Sequence, residues 1–511
     1  MNTINGKTIK NKNKFMVKRT YLLMKTILLT LTLFMFACED ETAVAQEEEI
    51  DVPEFDETLL IGATTGKKVA SFLTGTNAVY SHEIIGSWDD SKKINNLKET
   101  GISAFRYPGG HVVSFWDWEF PYHDTYKNFW DPNYENTLDE TKLNELKTQY
   151  KDRMGLDDYL QICQDAHMKP LVGINMFQGW RYDRTEESIQ KAVRLVGHCL
   201  QQNPNATYFF LDNEAGHQPE KNNHVPIDDY IQLIPGYSQA IKAVYPHVKL
   251  IPNIMRWNLV EKLIREAGQY WDIFDQHWYY NTGKWAYFDL ETWRAEIENR
   301  DQTKRIADFK KWKNQYGMNH LEFSYLEWNG PPPGLTADSK PATLDYALLG
   351  LIQADPLMFF AKNEIHMATA WPLTWHIPTN DVDLDAYNRN LMDRDDSSWL
   401  SPSATIFQAY SYVQGGEILE NNNDATRGLR VLTVKRDQGN GYALLILNKS
   451  KKDQTLEVDL PNDVSKVLEG KSFKEGSGAH NVHIKTLSSE LTEGNIYTTI
   501  ESTSFVYLLF E

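Results

Sequence analysis

Two stretches of the chain carry the residue types for paired acid and base chemistry. Thr207-Tyr-Phe-Phe-Leu-Asp-Asn-Glu214 and Leu321-Glu-Phe-Ser-Tyr-Leu-Glu-Trp-Asn329 are short aromatic and apolar runs with the composition of buried strands, and each ends on a carboxylate beside an Asn. A carboxylate at the end of a buried strand costs free energy unless it is hydrogen-bonded or used chemically. Two such groups brought together split their proton affinities into an acid and a base. That division of labour is what cleaving a glycosidic bond requires. Taken singly, Glu214 or Glu327 could be a loop-edge carboxylate in an ion pair; their matching places in a repeating pattern favour the pair.

The elements that would position them alternate between strand and helix periods. Strands are expected at Gly75–Tyr80, Ala104–Tyr107, Leu171–Asn175, Thr207–Asp212, Val248–Pro252, Ile273–Trp278, Leu321–Glu327 and Ile365–Trp371. Helical spacing joins Leu156, Tyr159, Leu160 and Cys163, and again Ile189, Ala192, Val193, Val196 and Leu200, the second run following a Thr185 suited to capping it. Eight strands, each trailed by a helix, predict an α/β fold, a (β/α)₈ TIM barrel over residues 75–400, with a doubly wound sheet as the alternative. In a barrel the site lies where the strands stop. That places Arg106, Asn175, Asp212-Asn213-Glu214, Asn253, His277-Trp-Tyr279, Glu327 and Trp371 at one mouth. Alternating runs such as Thr455–Leu460, with Tyr442–Leu447 and Ser504–Phe510, predict a C-terminal antiparallel β-sandwich over residues 401–511, completed by strands from residues 58–74.

Composition removes other classes. A net charge of −18 over 511 residues argues against nucleic acid, and no glycine-rich dinucleotide or phosphate loop follows a strand, so neither cofactor nor metal is expected. Asp381–Asp385 superficially resembles a calcium loop but lacks its Gly and terminal Glu. Three cysteines form no disulfide framework; Cys163 and Cys199 fall on apolar helix stripes as buried thiols. Met24-Lys-Thr and the apolar run Ile27–Phe36, ending at Ala37-Cys38, resemble a bacterial lipoprotein signal, with Met24 as the start and Cys38 as the lipidated residue. An acidic tether over residues 39–57 would follow it. The expected location is the outer membrane or cell surface of a Gram-negative bacterium, with lipid as the sole membrane contact; an ordinary secretory signal is the alternative.

The motifs Arg106-Tyr-Pro-Gly-Gly110, Asn213-Glu214, His277-Trp-Tyr279 and Glu327-Trp-Asn329 together resemble clan A retaining glycoside hydrolases, most of all the family 51 α-L-arabinofuranosidases. The resemblance implies Glu214 as general acid/base and Glu327 as nucleophile. It further implies that Asn213 binds the sugar hydroxyl beside the reacting carbon, and that Arg106 and Tyr279 keep Glu327 ionised and oriented. His277 would stand in the same substrate site. Asp212, sharing a strand parity with Glu214, ranks second as acid/base, and Glu322, five residues from Glu327, is expected to face the helices.

The long connection from Ser114 to Met154 carries Trp116, Trp118, Tyr122, Tyr126, Phe129, Trp130 and Tyr134, and Phe177 and Trp180 follow the third strand. Trp116, Trp180, Trp371 and Asn175 are expected to touch a carbohydrate substrate, although most large aromatics are buried for packing. An aromatic-rich cleft also fits an endo-acting hydrolase of a β-linked polysaccharide such as an agar or porphyran galactan. A non-catalytic glycan-binding lipoprotein is the alternative from outside the enzymes.

Overall fold

The computed structural model describes residues 55–511 apart from 81–82, 89–90, 123–129, 131–138, 218–223, 281–288, 297–298, 331–333, 336–340, 343–345, 376–388, 394–395, 424, 438–440, 477–481, 488–490 and 493–494. Cys38 with its leader, most of the tether, Tyr126, Phe129, Tyr134 and the Asp381–Asp385 loop lie outside the described residues.

Eight parallel strands close into a barrel: β1 Phe72–Asn77, β2 Ala104–Tyr107, β3 Lys169–Ile174, β4 Tyr208–Ala215, β5 Lys249–Ile254, β6 Ile273–Tyr279, β7 Glu322–Asn329 and β8 Met367–Ala370. Each is followed by a covering helix: α1 Lys92–Thr100, α2 Leu156–Asp165, α3 Thr185–Gln202, α4 Ile227–Val244, α5 Val260–Ala267, α6 Arg300–Gln315, α7 Tyr346–Lys362 and α8 Ala404–Ser411. The lumen is filled by Ala104, Leu171, Phe210, Ile251, Ile273, Leu326 and Met367, with Val113 from the segment after β2, so the barrel is a packed core and not a pore. The opening strand lies earlier than its sequence reading. Phe72, Leu73 and Thr74, read as preceding the barrel, belong to β1, because a strand buried on both faces from Leu73 onward has no alternation to mark where it starts.

The helices follow from their stripes. On α3, Ile189, Ala192, Val196 and Cys199 recur at helical spacing and are buried, as is Cys163 on α2; both thiols are free. Thr185 does not cap α3: it is already the first helical residue and makes no side-chain capping bond, and the acidic first turn, Glu186 and Glu187, offsets the positive helix end instead. α7 is buried on every face from Leu349 to Ala361 because it is wedged between barrel and sandwich. A Cβ on its Gly350 would lie 2.5 Å from the Phe473 ring of the sandwich.

The second layer is one sheet of ten strands folded over its own core. The strand Glu57–Lys68 runs parallel to Gln454–Asp459 through its first residues, then shifts register and pairs antiparallel with Glu417–Asn421. It therefore links the two halves, whose facing residues Leu59, Val431, Leu444, Ile446, Leu456, Val458, Ile496, Val506 and Leu508 are buried together. Val467–Glu475 and Asn495–Ile500, strands with no counterpart in the sequence reading, are broken by Gly, Lys or consecutive Thr and lack a continuous apolar alternation. At the junction Asp355 of α7 and Lys449 of the sandwich, both fully buried, pair at 2.7 Å beside Arg430.

Candidate active site

Both glutamates lie where a strand departs from regular pleating. Along β4 the register advances from Leu211 to Ala215 while the facing β5 advances only from Pro252 to Ile254, and Asp212 and Glu214 both take left-handed backbone conformations, φ 60° and 49°. Such conformations are uncommon for residues with a Cβ and are held here by contacts. Asp212 accepts the amide protons of Met176, Phe177 and Asn213 and the Ser114 hydroxyl, and the Glu214 amide donates to Asn253 Oδ1 at 2.6 Å. Along β7, Ser324 to Glu327 faces only Asp275 to His277 of β6, and Tyr325 to Trp328 only Ala368 to Ala370 of β8. One extra residue is inserted. Before it, Phe323 and Tyr325 pack on Phe309 and Phe360 of the helical layer; regular alternation would send Glu327 after them. The bulge turns Glu327 into the barrel mouth.

The parity argument about the two rival carboxylates is therefore corrected. Asp212 does not share a direction with Glu214, since both residues take left-handed backbone conformations that break the alternation, and it is spent on backbone amides beneath β3. Glu322 does not face the helices: it shares a face with Ser324 and Leu326 and lies at the opposite rim of the barrel. There it pairs with His366 at 3.0 Å beside Tyr208, which packs on the lumen cluster.

At the mouth the side chains form one connected network. Arg106, fully buried over the Phe210 ring, donates to Glu327 Oε2 at 3.1 Å, to Asn213 Oδ1 at 2.7 Å and to Asn77 Oδ1 at 2.9 Å. Tyr279 donates its hydroxyl to Glu327 Oε1 at 2.7 Å. His277 Nδ1 lies 2.8 Å from Glu214 Oε1 and 3.7 Å from Glu327 Oε2, and its Nε2 lies 3.1 Å from Asp275 Oδ2. Asp275 also accepts the Leu326 amide at 2.7 Å, which pins the β7 bulge to β6. Glu214, His277 and Glu327 bring one ligand atom each within 4.8 Å of one another.

Burial and charge act in opposition here. Burial disfavours the His277 imidazolium, yet the facing carboxylates Glu327, Asp275 and Glu214 outweigh it and raise the ring to about 10. Burial likewise pushes Glu214 up, but the His277 hydrogen bond and charge, helped by His217 and His224, hold it down at about 2. The proton of this pair resides on the imidazole. A ring that uses both nitrogens as donors has no lone pair for a cation, so this grouping, the single one of its kind among the described residues, is built to hold a proton. Burial, then Glu327, raises Tyr279 well above its ordinary value, which keeps it a donor.

The remaining expected contacts divide. Trp371 ends β8 and lies over Gly109 and Gly110: a Cβ on Gly110, whose φ is +52°, would come 2.5 Å from its ring. Three residues are tied into local contacts. Trp116 is buried in the core, edge-on to Tyr107, and with Trp118 and Trp130 lines a separate small void. Trp180 gives its Nε1 proton to Asp229 and packs on Phe177. Asn175 donates to the Trp116 carbonyl and accepts from the Gln178 amide, so it closes the turn into the next helix. For Trp180 and Asn175 the side-chain polarity is satisfied locally. Asp275 was missed although its spacing to His277 and Tyr279 puts all three on one strand face, and Asn77 was missed because β1 starts earlier. A histidine group beside Glu214 left no sequence signal: His224 stacks on His111 at 4.2 Å and meets His217 edge-on at 5.4 Å. Burial, then His111, lowers His224 to about 4.

Residues 96–305 match the family model of the alpha-L-arabinofuranosidase 1 domain. An intracellular exo-alpha-(1->5)-L-arabinofuranosidase of Acetivibrio thermocellus is 21% identical over 267 residues, 46% of this chain and 48% of that protein. The chain thus spans about half the length of this curated relative. Among solved structures, a family 51 alpha-L-arabinofuranosidase of Bifidobacterium longum superposes with TM-score 0.64 at 16% identity, over 90% of this chain and 100% of its own. The arabinose complex of the Thermotoga maritima enzyme gives 0.66 at 14%, over 88% and 99%. A metagenomic bifunctional glucanase-xylanase gives 0.59 at 11%, over 89% and 99%. The closed barrel and trailing sandwich thus have the fold of these family 51 structures, and the stretch from β2 into α6 is similar in sequence to the arabinofuranosidase domain.

Proposed function

We propose that the protein is a retaining glycoside hydrolase of arabinofuranosidase type, working by double displacement. The observation that carries this reading is the unequal environment of two carboxylates whose oxygens approach within 4.8 Å, close to the spacing of roughly 5 Å used by retaining enzymes. Glu327, fixed by Arg106 and Tyr279, attacks the anomeric carbon as a carboxylate. The His277 proton passes across the 2.8 Å contact to Glu214 and from it to the departing oxygen, which leaves His277 neutral and Glu214 a carboxylate, so the pair acts as the acid. Glu214, now a carboxylate, then takes a proton from the water that releases the sugar from Glu327.

Glu327→Gln should lower turnover of chromogenic arabinofuranosides and of a polysaccharide panel by at least about 10³-fold while glycan binding persists. Near-normal turnover in that variant, or an inverted anomer in the first-formed product, sinks the proposal. Glycan binding by the wild type with no turnover of any substrate would leave a binding protein. The cleft around the glutamates, about 970 Å³ and running from Met255 to Arg389, favours a substrate of several sugar units. An endo-acting hydrolase is therefore the second reading, and product sizes from a polymer decide it. The leader ending at Cys38 supports a surface lipoprotein, tested by metabolic labelling with a palmitate analogue and its loss in Cys38→Ser.

A further inference from the structure

The cleft that holds Glu214 and Glu327 extends from them along the start of α6, and its lining there is cationic. Arg300, Arg305 and Arg389 all face the same cavity. Arg305 lies over the Trp257 ring at 5.2 Å and donates to Gln276 Oε1 at 3.3 Å, one residue from His277. Arg389 lies 5.6 Å over the ring of Tyr279, whose hydroxyl holds Glu327. Of the four carboxylates that share the cavity, three are engaged, and the fourth, Asp301, is exposed beside Arg300. Glu214 is taken by His277, Glu327 by Arg106, and Glu296 accepts the backbone amide of Arg300 at 3.1 Å. Neither Arg300 nor Arg305 forms an ion pair among the described residues.

The chain as a whole carries a net charge of −18. On the outer surface Arg184, Arg194, Arg265, Arg294 and Arg427 each sit against a carboxylate. Arg305 is partly buried against an aromatic face, which fixes its guanidinium, and its remaining N–H groups are left for something inside the cleft. A planar guanidinium presents parallel donors that match the two oxygens of a carboxylate or a sulfate, and charge-assisted bonds of this kind are about twice as strong as neutral ones. A neutral sugar would use these donors poorly.

We propose that this wall is a subsite for an anionic sugar unit, a uronate carboxylate or a sulfate ester, bound beside the glutamates by Arg305 and Arg300. The proposal rests on the hydrolase reading above and names its substrate class. It is tested with the full chain and oligosaccharides of matched size that are neutral, uronate-bearing or sulfated. At low salt the preferred anionic substrate should exceed the neutral one in kcat/KM by about tenfold or more, mostly through KM. The preference should shrink at about 0.5 M salt, because screening weakens the partly exposed contact. Arg305→Gln with Arg300→Gln should remove the preference at an unchanged melting temperature, and the anion that loses most identifies the ligand.

Turnover of the neutral substrate equal to or above both anionic ones overturns the subsite and leaves the hydrolase standing. An equal fall on all substrates in the double variant also overturns it. If no substrate is turned over, the hydrolase reading fails by itself, and equilibrium binding of the same oligosaccharides then decides the subsite. Tighter binding of an anionic ligand that the double variant loses supports it; binding independent of charge overturns it.

Discussion

The barrel carries a glutamate–histidine pair at each end, and the two pairs have opposite characters. Glu214 and His277 at the C-terminal mouth are 2.8 Å apart; Glu322 and His366 at the N-terminal rim are 3.0 Å apart. Distance does not separate them. The first pair is 17% and 1% exposed and the second 48% and 22%. His277 faces Glu327 and Asp275 besides Glu214, whereas Glu322 has Lys249 and Lys313 nearby and water around it. Closing out water strengthens each charge contact, and collecting three carboxylates around one imidazole locks a proton there. The same two side chains make a proton store at one end of the fold and an ordinary ion pair at the other.

The largest expected effect of breaking the mouth pair is on chemistry. Glu214→Gln should slow hydrolysis of unactivated glycosides by roughly 10² to 10⁴-fold. Aryl glycosides with good leaving groups should suffer far less in the first step, since their departing oxygen needs no proton. Rates across a leaving-group series check this, and a uniform loss would remove Glu214 from the acid role.

His277→Asn comes next and should affect both activity and stability. Turnover should fall by about 10²-fold, and removing one member of a buried charge cluster should cost about 3 to 5 kcal/mol. The pH dependence has a fixed sign. His277 is raised from 6.5 to about 10, so its stabilisation is complete below about 6.5 and fades as pH rises through 10. Glu214 is lowered from 4.5 to about 2, so its share is complete above about 4.5 and fades as pH falls through 2. Both values report one contact and are counted once. The gap in melting temperature between wild type and variant should be widest between about pH 4.5 and 6.5 and narrow towards pH 10. A gap constant from pH 5 to 10 would contradict the charged state assigned to His277.

Asp212→Asn is smaller again. Asp212 accepts three backbone amides and a hydroxyl while holding a left-handed backbone at the β4 irregularity. Burial nonetheless raises its carboxyl above the ordinary range, so the loss of charge is partly offset. A stability loss of about 1 to 3 kcal/mol is expected, with activity following through displacement of Glu214. Equilibrium unfolding and kcat on the same preparation check it, and an unaltered midpoint would show that the backbone holds itself.

Which residues meet at the mouth was legible because strand ends in a barrel converge: Arg106, Asn213, Glu214, His277, Tyr279 and Glu327 each stood at a terminus in the sequence. Which way each points was not. Parity assumes a regular strand, and both β4 and β7 are irregular at their last residues. A bulge is set by what the partner strands hold, here Asn253 under Glu214 and Asp275 under Leu326, and those contacts span 39 and 51 residues. Aromatic placement was illegible for a similar reason: Trp116 and Trp180 are polar-tipped rings whose destination depends on packing that no local pattern encodes.

The smallest effect belongs to the rim pair and is the sharpest control. Glu322→Gln or His366→Asn should alter turnover by less than about twofold, because Glu322 sits at the far rim and distant sites act independently. The His366 contact, acting against burial, lowers the Glu322 carboxyl, so any stabilisation is present above its ordinary pKa of 4.5 and lost on acidification. With Glu322 half exposed, water and salt screen that contribution to below about 1 kcal/mol at neutral pH. Melting temperatures of both variants at low and high salt measure it. If either rim variant costs as much as His277→Asn, burial is not what distinguishes the two ends, and the assignment of a proton store to the mouth loses its physical basis.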